Sequence, residues 1–485
     1  MLALDDLDFR ERIEEQVDGL IADKKLIAHN TGERMLIADP LLYKREMDLA
    51  KVFAGSLANS PEIASEDELT KILESEAGDL TFSQQQAVKV ALTSRISVIS
   101  GAAGSGKSHT IAAITRIGEK LGLDIALAAP TGKAARRLEE LTGCEAKTIH
   151  RLLGYDGYGW KYKADNPLDY DVIILDELSM VDIHLAWRFF DAVDLSSAQI
   201  VLVGDCHQLP PIGPGNILRD LIDRKLLPTV ILDQVVRQAG ILKENSAAIL
   251  AGKVNPTAPG TNGILRPWYV IDDLESDQQV VSTLLHIIEH KLTPLGVDPI
   301  RDIQVLTPIK KGPLGTFNLN IELQRLIQRL HFGVEVEPAA TGKRPKFYQG
   351  DKLLQTRNDY RLGIMNGSIG FIRNIKEIED EQGRPVEVME IDFDGCIVDI
   401  SVNSEEAKNL QLAYACTIHK TQGNEMPCAI TIIHSLHYFM LHNCLLYTGV
   451  SRARKTSIIL GDRKGIWAAA TRQIVDKRKT FLSVI

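Results

Sequence analysis

A chain of 485 residues that is 45% hydrophobic and 25% charged, with 36 Gly and 19 Pro, is too long for one ordinary core and too balanced for a collagenous, low-complexity or disordered protein. The opening MLALDDLDFR is acidic, and no apolar run reaches the length of a membrane span, so the expectation is a soluble cytoplasmic protein with no membrane partner. The formal net charge of −9 is uneven: residues 1–80 hold 9 Lys and Arg against 19 Asp and Glu, whereas residues 301–485 hold 25 against 20, which leaves a polyanion partner open. The six cysteines (Cys144, Cys206, Cys396, Cys416, Cys428 and Cys444) show no C-x-x-C pair and no zinc spacing, the pattern of free thiols in a reducing compartment.

Residues 1–80 read as helical and carry no chemical motif. From residue 81, short runs apolar throughout alternate with helical stretches: ISVIS (96–100), DIALAAP (124–130), DVIILDE (171–177), QIVLVGD (199–205) and TVILD (229–233). Such strands belong to a parallel sheet covered on both faces. VNPTAPGTNG is the linker candidate, and a second α/β pattern follows with WYVIDD, a helix near 276–292, DIQVLTP (302–308) and a helix around FNLNIELQRLIQRL. Over 350–402 the period changes to four short strands joined by turns, a small β-barrel inserted into the second sheet domain. AYACTIHK, CAITIIHS and SIILGD resume the α/β pattern.

GAAGSGKS at 101–108 is a G-x-x-x-x-G-K-[ST] loop between an expected strand and an expected helix. Gly101, Gly104 and Gly106 let backbone N–H groups, Ser105 included, turn onto phosphate oxygens. Lys107 then neutralises the β- and γ-phosphates, and the Ser108 hydroxyl ligates Mg²⁺. Asp176 and Glu177 close the strand DVIILDE, where the first suits Mg²⁺ held through water and the second suits polarising an attacking water. A kinase needs no such second carboxylate, so the pair points to ATP hydrolysis. Gln208 follows another strand, and Arg237 (VVRQ), Arg452 and Arg454 (GVSRARK) offer guanidinium groups to charge on a transferring phosphoryl group.

The order of motifs resembles the RecD-like DNA helicases of superfamily 1B, related to the exodeoxyribonuclease V alpha subunit. The resemblance runs through LTFSQQQAV, GAAGSGKS, APTGKAARRL, TIHRLLG, LDELSMVD, VGDCHQLPPIGPG, VVRQ, TPIKKGPLGTFNLN, GDKLLQTRNDYRLGIMNGSIG, YACTIHKTQGNEMP and LLYTGVSRARK, from about Leu80 to about Asp462. It implies an α/β fold with two RecA-like P-loop motor domains, one over 81–255 with a pin hairpin at about 154–168, the other over 256–345 and 408–485. An SH3-like barrel at 346–407 and a helical segment at 1–80 complete the implied organisation. Gln84 looks like the adenine-reading glutamine, Gln208 the γ-phosphate sensor, and Arg237 and Arg452 the arginines that close on the nucleotide. His109, Gly423 and Glu425 fall in nucleotide-side motifs. Thr131, Lys133, His150, Thr307, Asn366, His419 and Lys420 fall where relatives track single-stranded DNA. Departures from the family pattern are His109 in place of a common Thr, Cys206-His207 before Gln208, and no Phe before Arg237.

In YDGYGWKYKADNPL (155–168), Tyr158, Trp160 and Tyr162 alternate, which sets three aromatics on one face of a strand. Relatives carry a pin at this place, so Trp160 joins the expected DNA contacts. The implied activity is ATP-dependent, 5′→3′ movement on single-stranded DNA with separation of 5′-tailed duplex. The alternative is a DNA-dependent ATPase subunit that binds or remodels nucleoprotein without processive unwinding, and on either reading a protein partner in a repair, recombination, phage or defence complex is left open.

Overall fold

The computed structural model describes residues 6–30, 32, 35–57, 66–76, 78–232, 240–259, 264–337, 345–359, 361–379, 383–473 and 478–483. Its first large element is a six-stranded sheet in the order Ala146–Thr148, Ile125–Ala129, Val172–Leu175, Gln199–Gly204, Ile96–Gly101, Thr229–Leu232. Every pair in it is parallel. Alternate residues feed opposite faces: Ile173 and Leu175 join one core, and Val172 and Ile174 join the other. Burial on both faces is why these strands are apolar throughout and show no alternation. Ala146–Thr148, at one edge, is three residues long and gave no readable apolar run.

A second parallel sheet runs Ala415–Thr417, Ile303–Thr307, Met426–Ile433, Ala453–Gly461, Trp268–Ile271. Its two faces divide in the same manner, with Ile430 and Ile458 on one side and Ala429 and Ile459 on the other. The third sheet is antiparallel, in the order Cys396–Ser401, Pro385–Phe393, Ile369–Glu379, Lys352–Gln355, Leu410–Leu412. It has a fifth strand beyond the four expected, since Leu410–Leu412 pairs with Lys352–Gln355 just before the chain re-enters the second parallel sheet. Leu353, Met389 and Ile391 of this insert share one core with Leu319, Leu323 and Ile327 of the helix Thr316–Phe332, so insert and second sheet form one packed body.

The stretch expected to be helical holds the helices Asp6–Ala22, Pro40–Ser56 and Glu66–Glu76 together with a hairpin, Ile27–Asn30 with Met35–Ala38. These strands are only partly buried, which weakened their sequence signature. The segment 155–168 also departs from expectation. It forms bends closed by isolated bridges, Tyr155 with Trp160 and Lys163 with Asn166, and no continuous strand. Trp160 and Tyr162 pack against the first sheet's core, while Tyr158 is fully exposed at the tip. Among the described residues, no helix is long and apolar enough to cross a membrane.

Candidate functional site

Four loops at the carboxyl ends of the first sheet's strands gather the chemistry, the usual crevice position in an open parallel sheet. The phosphate loop needs glycine. Gly104 and Gly106 have φ of 80° and 88°, values that L side chains rarely adopt. A Cβ on Gly101 would stand 2.3 Å from Ser105 Oγ. The helix Lys107–Lys120 then starts at the loop with Ser108 in its first turn, half-buried. Lys107 Nζ donates to the carbonyls of Gly101 at 2.6 Å and Ala102 at 3.1 Å. Behind the loop, Gln84 is fully buried. Its amide oxygen accepts from Thr81 N–H at 2.9 Å, and its amide nitrogen donates to Gly106 O at 3.4 Å, which ties its helix to the loop. His109 Nε2 lies 2.9 Å from Asp79 Oδ2 at the rim.

Asp176 and Glu177 face this loop from the end of Val172–Leu175. Asp176 Oδ1 accepts from Glu177 N–H at 2.8 Å. Glu177 has φ 54°, and its Oε2 is buried without a hydrogen-bond partner. A non-glycine residue held in the left-handed region stores strain of order 1–3 kcal/mol, and such strain concentrates at functional sites. Burial raises the proton affinity of both carboxyls, and the Asp176 charge raises that of Glu177 further. Lys107 opposes the rise at both, Arg137 at Asp176 and Arg452 at Glu177. The pair therefore collects positive charge from both sheet units.

Arg452 belongs to the second unit and is buried, donating to Thr448 O at 3.0 Å, Asn424 O at 3.2 Å and Ser451 Oγ at 3.0 Å. Glu425 bridges the units, with Arg137 Nη1 at 3.0 Å and Arg454 Nε at 3.2 Å. Burial pushes its carboxyl up, but the two arginines, with Arg452, leave it below the usual range. Gly423, whose φ of 74° favours glycine, lies beside Thr131 and Ala134 of the first unit. Gln208 is buried, with Nε2 at 3.4 Å from Asp205 Oδ2 and Oε1 unpartnered. Arg237 lies outside the described residues.

Three family models match in chain order: an AAA domain at 79–260, the ATP-dependent RecD-like DNA helicase SH3 domain at 319–393, and a UvrD-like helicase C-terminal domain at 412–460. The "ATP-dependent RecD2 DNA helicase" of Deinococcus radiodurans is 34% identical over 451 residues, or 91% of this chain. The chain is similar to the RecD-like helicases along most of its length. It spans 57% of the length of the Deinococcus relative. The "RecBCD enzyme subunit RecD" of Mycobacterium tuberculosis is 27% identical over 94% of this chain and 81% of that protein. A solved structure of Bacteroides Pif1 bound to ssDNA aligns over 82% of this chain and 96% of its own, at 20% identity and a TM-score of 0.44.

In this RecD-like chain the residues expected along a DNA path divide by environment. Thr131 caps the helix Gly132–Thr142 by accepting from Ala134 N–H at 3.3 Å. Thr307 is fully buried and donates to Leu314 O at 2.7 Å, so its hydroxyl fixes the loop after its strand. Lys133, His419 and Lys420 all have proton affinity lowered, first by burial. Asn366 is exposed, and its N–H donates to Asn358 Oδ1 at 2.8 Å. His150 is half-buried beside Tyr155 and Trp160, at ring distances of 5.8 and 5.4 Å, and this partial burial lowers its proton affinity.

Sequence reasoning passed over Tyr447, Asp205 and Arg137, although each stands inside a motif already noted (LLYTGVSRARK, VGDCHQLPPIGPG, APTGKAARRL). Tyr447 is fully buried, and its hydroxyl accepts from Ala103 N–H of the phosphate loop at 3.0 Å and donates to Asp205 Oδ2 at 2.7 Å. The available signal was position within a motif; the cross-unit contact itself has no sequence signature.

Proposed function

We propose that this chain is an ATP-driven motor that moves 5′→3′ on single-stranded DNA and separates a 5′-tailed duplex ahead of it in the cytoplasm. The observation that carries the reading is the strained Glu177, with its buried Oε2 lacking a hydrogen-bond partner, beside Asp176, with Lys107 on its own unit and Arg452 on the other. Ser108 and Asp176 supply oxygen ligands suited to the hard Mg²⁺ ion that accompanies ATP, and the orphaned Glu177 oxygen beside them fits a site built for water and cation. When bound, that ion neutralises phosphate charge. Glu177 takes the proton of the attacking water, Gln208 contacts the γ-phosphate, and Lys107, Arg237 and Arg452 stabilise the transferring group. Arg452 and Lys107 stand on different units, so the γ-phosphate draws the units together and its loss lets them part.

Polarity rests on the family alone, as does a setting in repair or recombination with a protein partner. A second reading, a DNA-dependent ATPase that remodels nucleoprotein without processive unwinding, is favoured by one observation: Trp160 and Tyr162 pack into protein and leave Tyr158 alone at the tip. The test uses duplexes with a 5′ or a 3′ single-stranded tail and a Lys107→Ala control. Unwinding of the 5′-tailed duplex, with single-strand-stimulated ATP hydrolysis and both lost in the control, is the expected result. Stimulated hydrolysis without strand separation selects the second reading, and no stimulation by single-stranded DNA overturns both.

A further inference from the structure

A cavity of about 450 Å³ opens between the helix Thr316–Phe332, the strand Ala415–Thr417 and the paired strands Lys352–Gln355 and Leu410–Leu412 of the insert. Ile321, Phe347, Leu354 and Leu412 line it, and Phe317 lies at it with 49% of its surface exposed. Lys310 and Lys420 line the same cavity, the first exposed and the second half-buried. Lys420 holds its proton less tightly because of burial and the nearby charge of Lys310, so the two ammonium groups are within electrostatic reach of each other. No acidic side chain is among the described residues that line it.

The size and apolar lining suit a small planar group, since ligand pockets are concave, mostly apolar and carry a few placed charges. A purely apolar ligand or peptide segment leaves two like charges at the cavity unexplained, whereas a base carried on a phosphate backbone uses both features. We propose that this cavity takes one unstacked nucleobase of a bound single strand, with Phe317 stacking on the ring and Lys310 and Lys420 holding the adjoining phosphate. The inference rests on the single-stranded DNA reading above. All of its contacts come from the second unit and its insert, so this foothold travels with that unit when the nucleotide cleft changes.

The test measures anisotropy of a labelled single-stranded oligothymidylate and of a set in which one position at a time is abasic, on the full chain without nucleotide. One position in the wild-type footprint is expected to weaken binding roughly five- to a hundred-fold when its base is removed. Phe317→Ala is expected to weaken the intact strand similarly and to erase the penalty at that position, while Phe317→Trp keeps it. Lys310→Ala is expected to lower the slope of log affinity against log salt by about 0.7. Wild-type binding with no abasic-sensitive position, or an unchanged profile in Phe317→Ala, overturns the pocket and leaves the motor reading standing. No binding of the intact strand overturns both.

Discussion

Tyr447 and Asp205 stand 242 residues apart in sequence, and the Tyr447 hydroxyl donates to the Asp205 carboxylate at 2.7 Å across the junction of the two sheet units. The same hydroxyl accepts from Ala103 N–H of the phosphate loop. Burial and the Asp205 charge raise the phenol well above its ordinary range, so it stays a donor at any working pH. Next to it, Leu209 N–H donates to Thr448 Oγ1 and Gln422 Nε2 donates to Leu209 O, which makes this a continuous seam. Tyr447→Phe leaves a loop N–H and a buried carboxylate short of a partner, at a cost of about 1–3 kcal/mol. The expected outcome is a lower urea midpoint at unchanged slope and a reduced kcat for ATP. An unchanged kcat would show that the seam is structural only.

Glu177→Gln removes the proposed water base while keeping side-chain size. General-base loss typically costs about 10²–10⁴ in rate, so kcat is expected to fall by that order with nucleotide binding retained. Fluorescent-nucleotide titration and single-turnover hydrolysis separate the two. Wild-type turnover in this variant would remove Glu177 from the mechanism.

The aromatic segment yields a pair of opposed expectations. Trp160 stacks on Tyr155 at 4.6 Å and on His150 at 5.4 Å and packs against the core, so Trp160→Ala is expected to cost about 2–3 kcal/mol and to depress ATPase and unwinding together. Tyr158 touches solvent on all sides. Tyr158→Ala is expected to leave thermal stability unchanged and to slow strand separation more than hydrolysis. Equal loss of both activities in Tyr158→Ala would remove it as a wedge.

A pH dependence follows from the segment 478–483, which returns to the first unit. Thr480 Oγ1 donates to Asp220 Oδ2 at 2.7 Å, and the N–H groups of Phe481 and Leu482 donate to Glu46 Oε2. Burial, with Glu46 and Asp223 nearby, raises Asp220 to about 7 against the pull of Thr480 and Arg219. Burial raises Glu46 as well. A carboxyl raised on folding contributes stability that is full below its unfolded value of about 4 and is lost as pH rises through about 7. Urea unfolding is therefore expected to show Asp220 withdrawing on the order of 2–4 kcal/mol between pH 4 and 8. Asp220→Asn should flatten that part of the profile, and a wild-type slope in this variant would contradict the assignment.

Much of the fold was legible because the strands of both parallel sheets are apolar on both faces and end in chemical motifs, as at Ile96–Gly101 and Val172–Leu175. The three-residue strand Ala146–Thr148 and the half-buried hairpin Ile27–Asn30 with Met35–Ala38 were not, since short or solvated strands leave little hydrophobic pattern. The alternation of Tyr158, Trp160 and Tyr162 misled for a related reason. Period two marks a strand only where a neighbour pairs along it, and here the backbone bends so that two aromatics turn inward and one points out.

The sequence by itself set out the candidates for the site: a phosphate loop, a carboxylate pair, and arginines placed by motif order. Those are properties of local backbone and residue type, and they survive reading one segment at a time. Only the tertiary structure decided which groups meet. Tyr447 with Asp205, Glu425 between Arg137 and Arg454, and the apolar cavity at Phe317 each join segments far apart in sequence. Such pairings are set by how whole sheets pack, a property that no single segment carries.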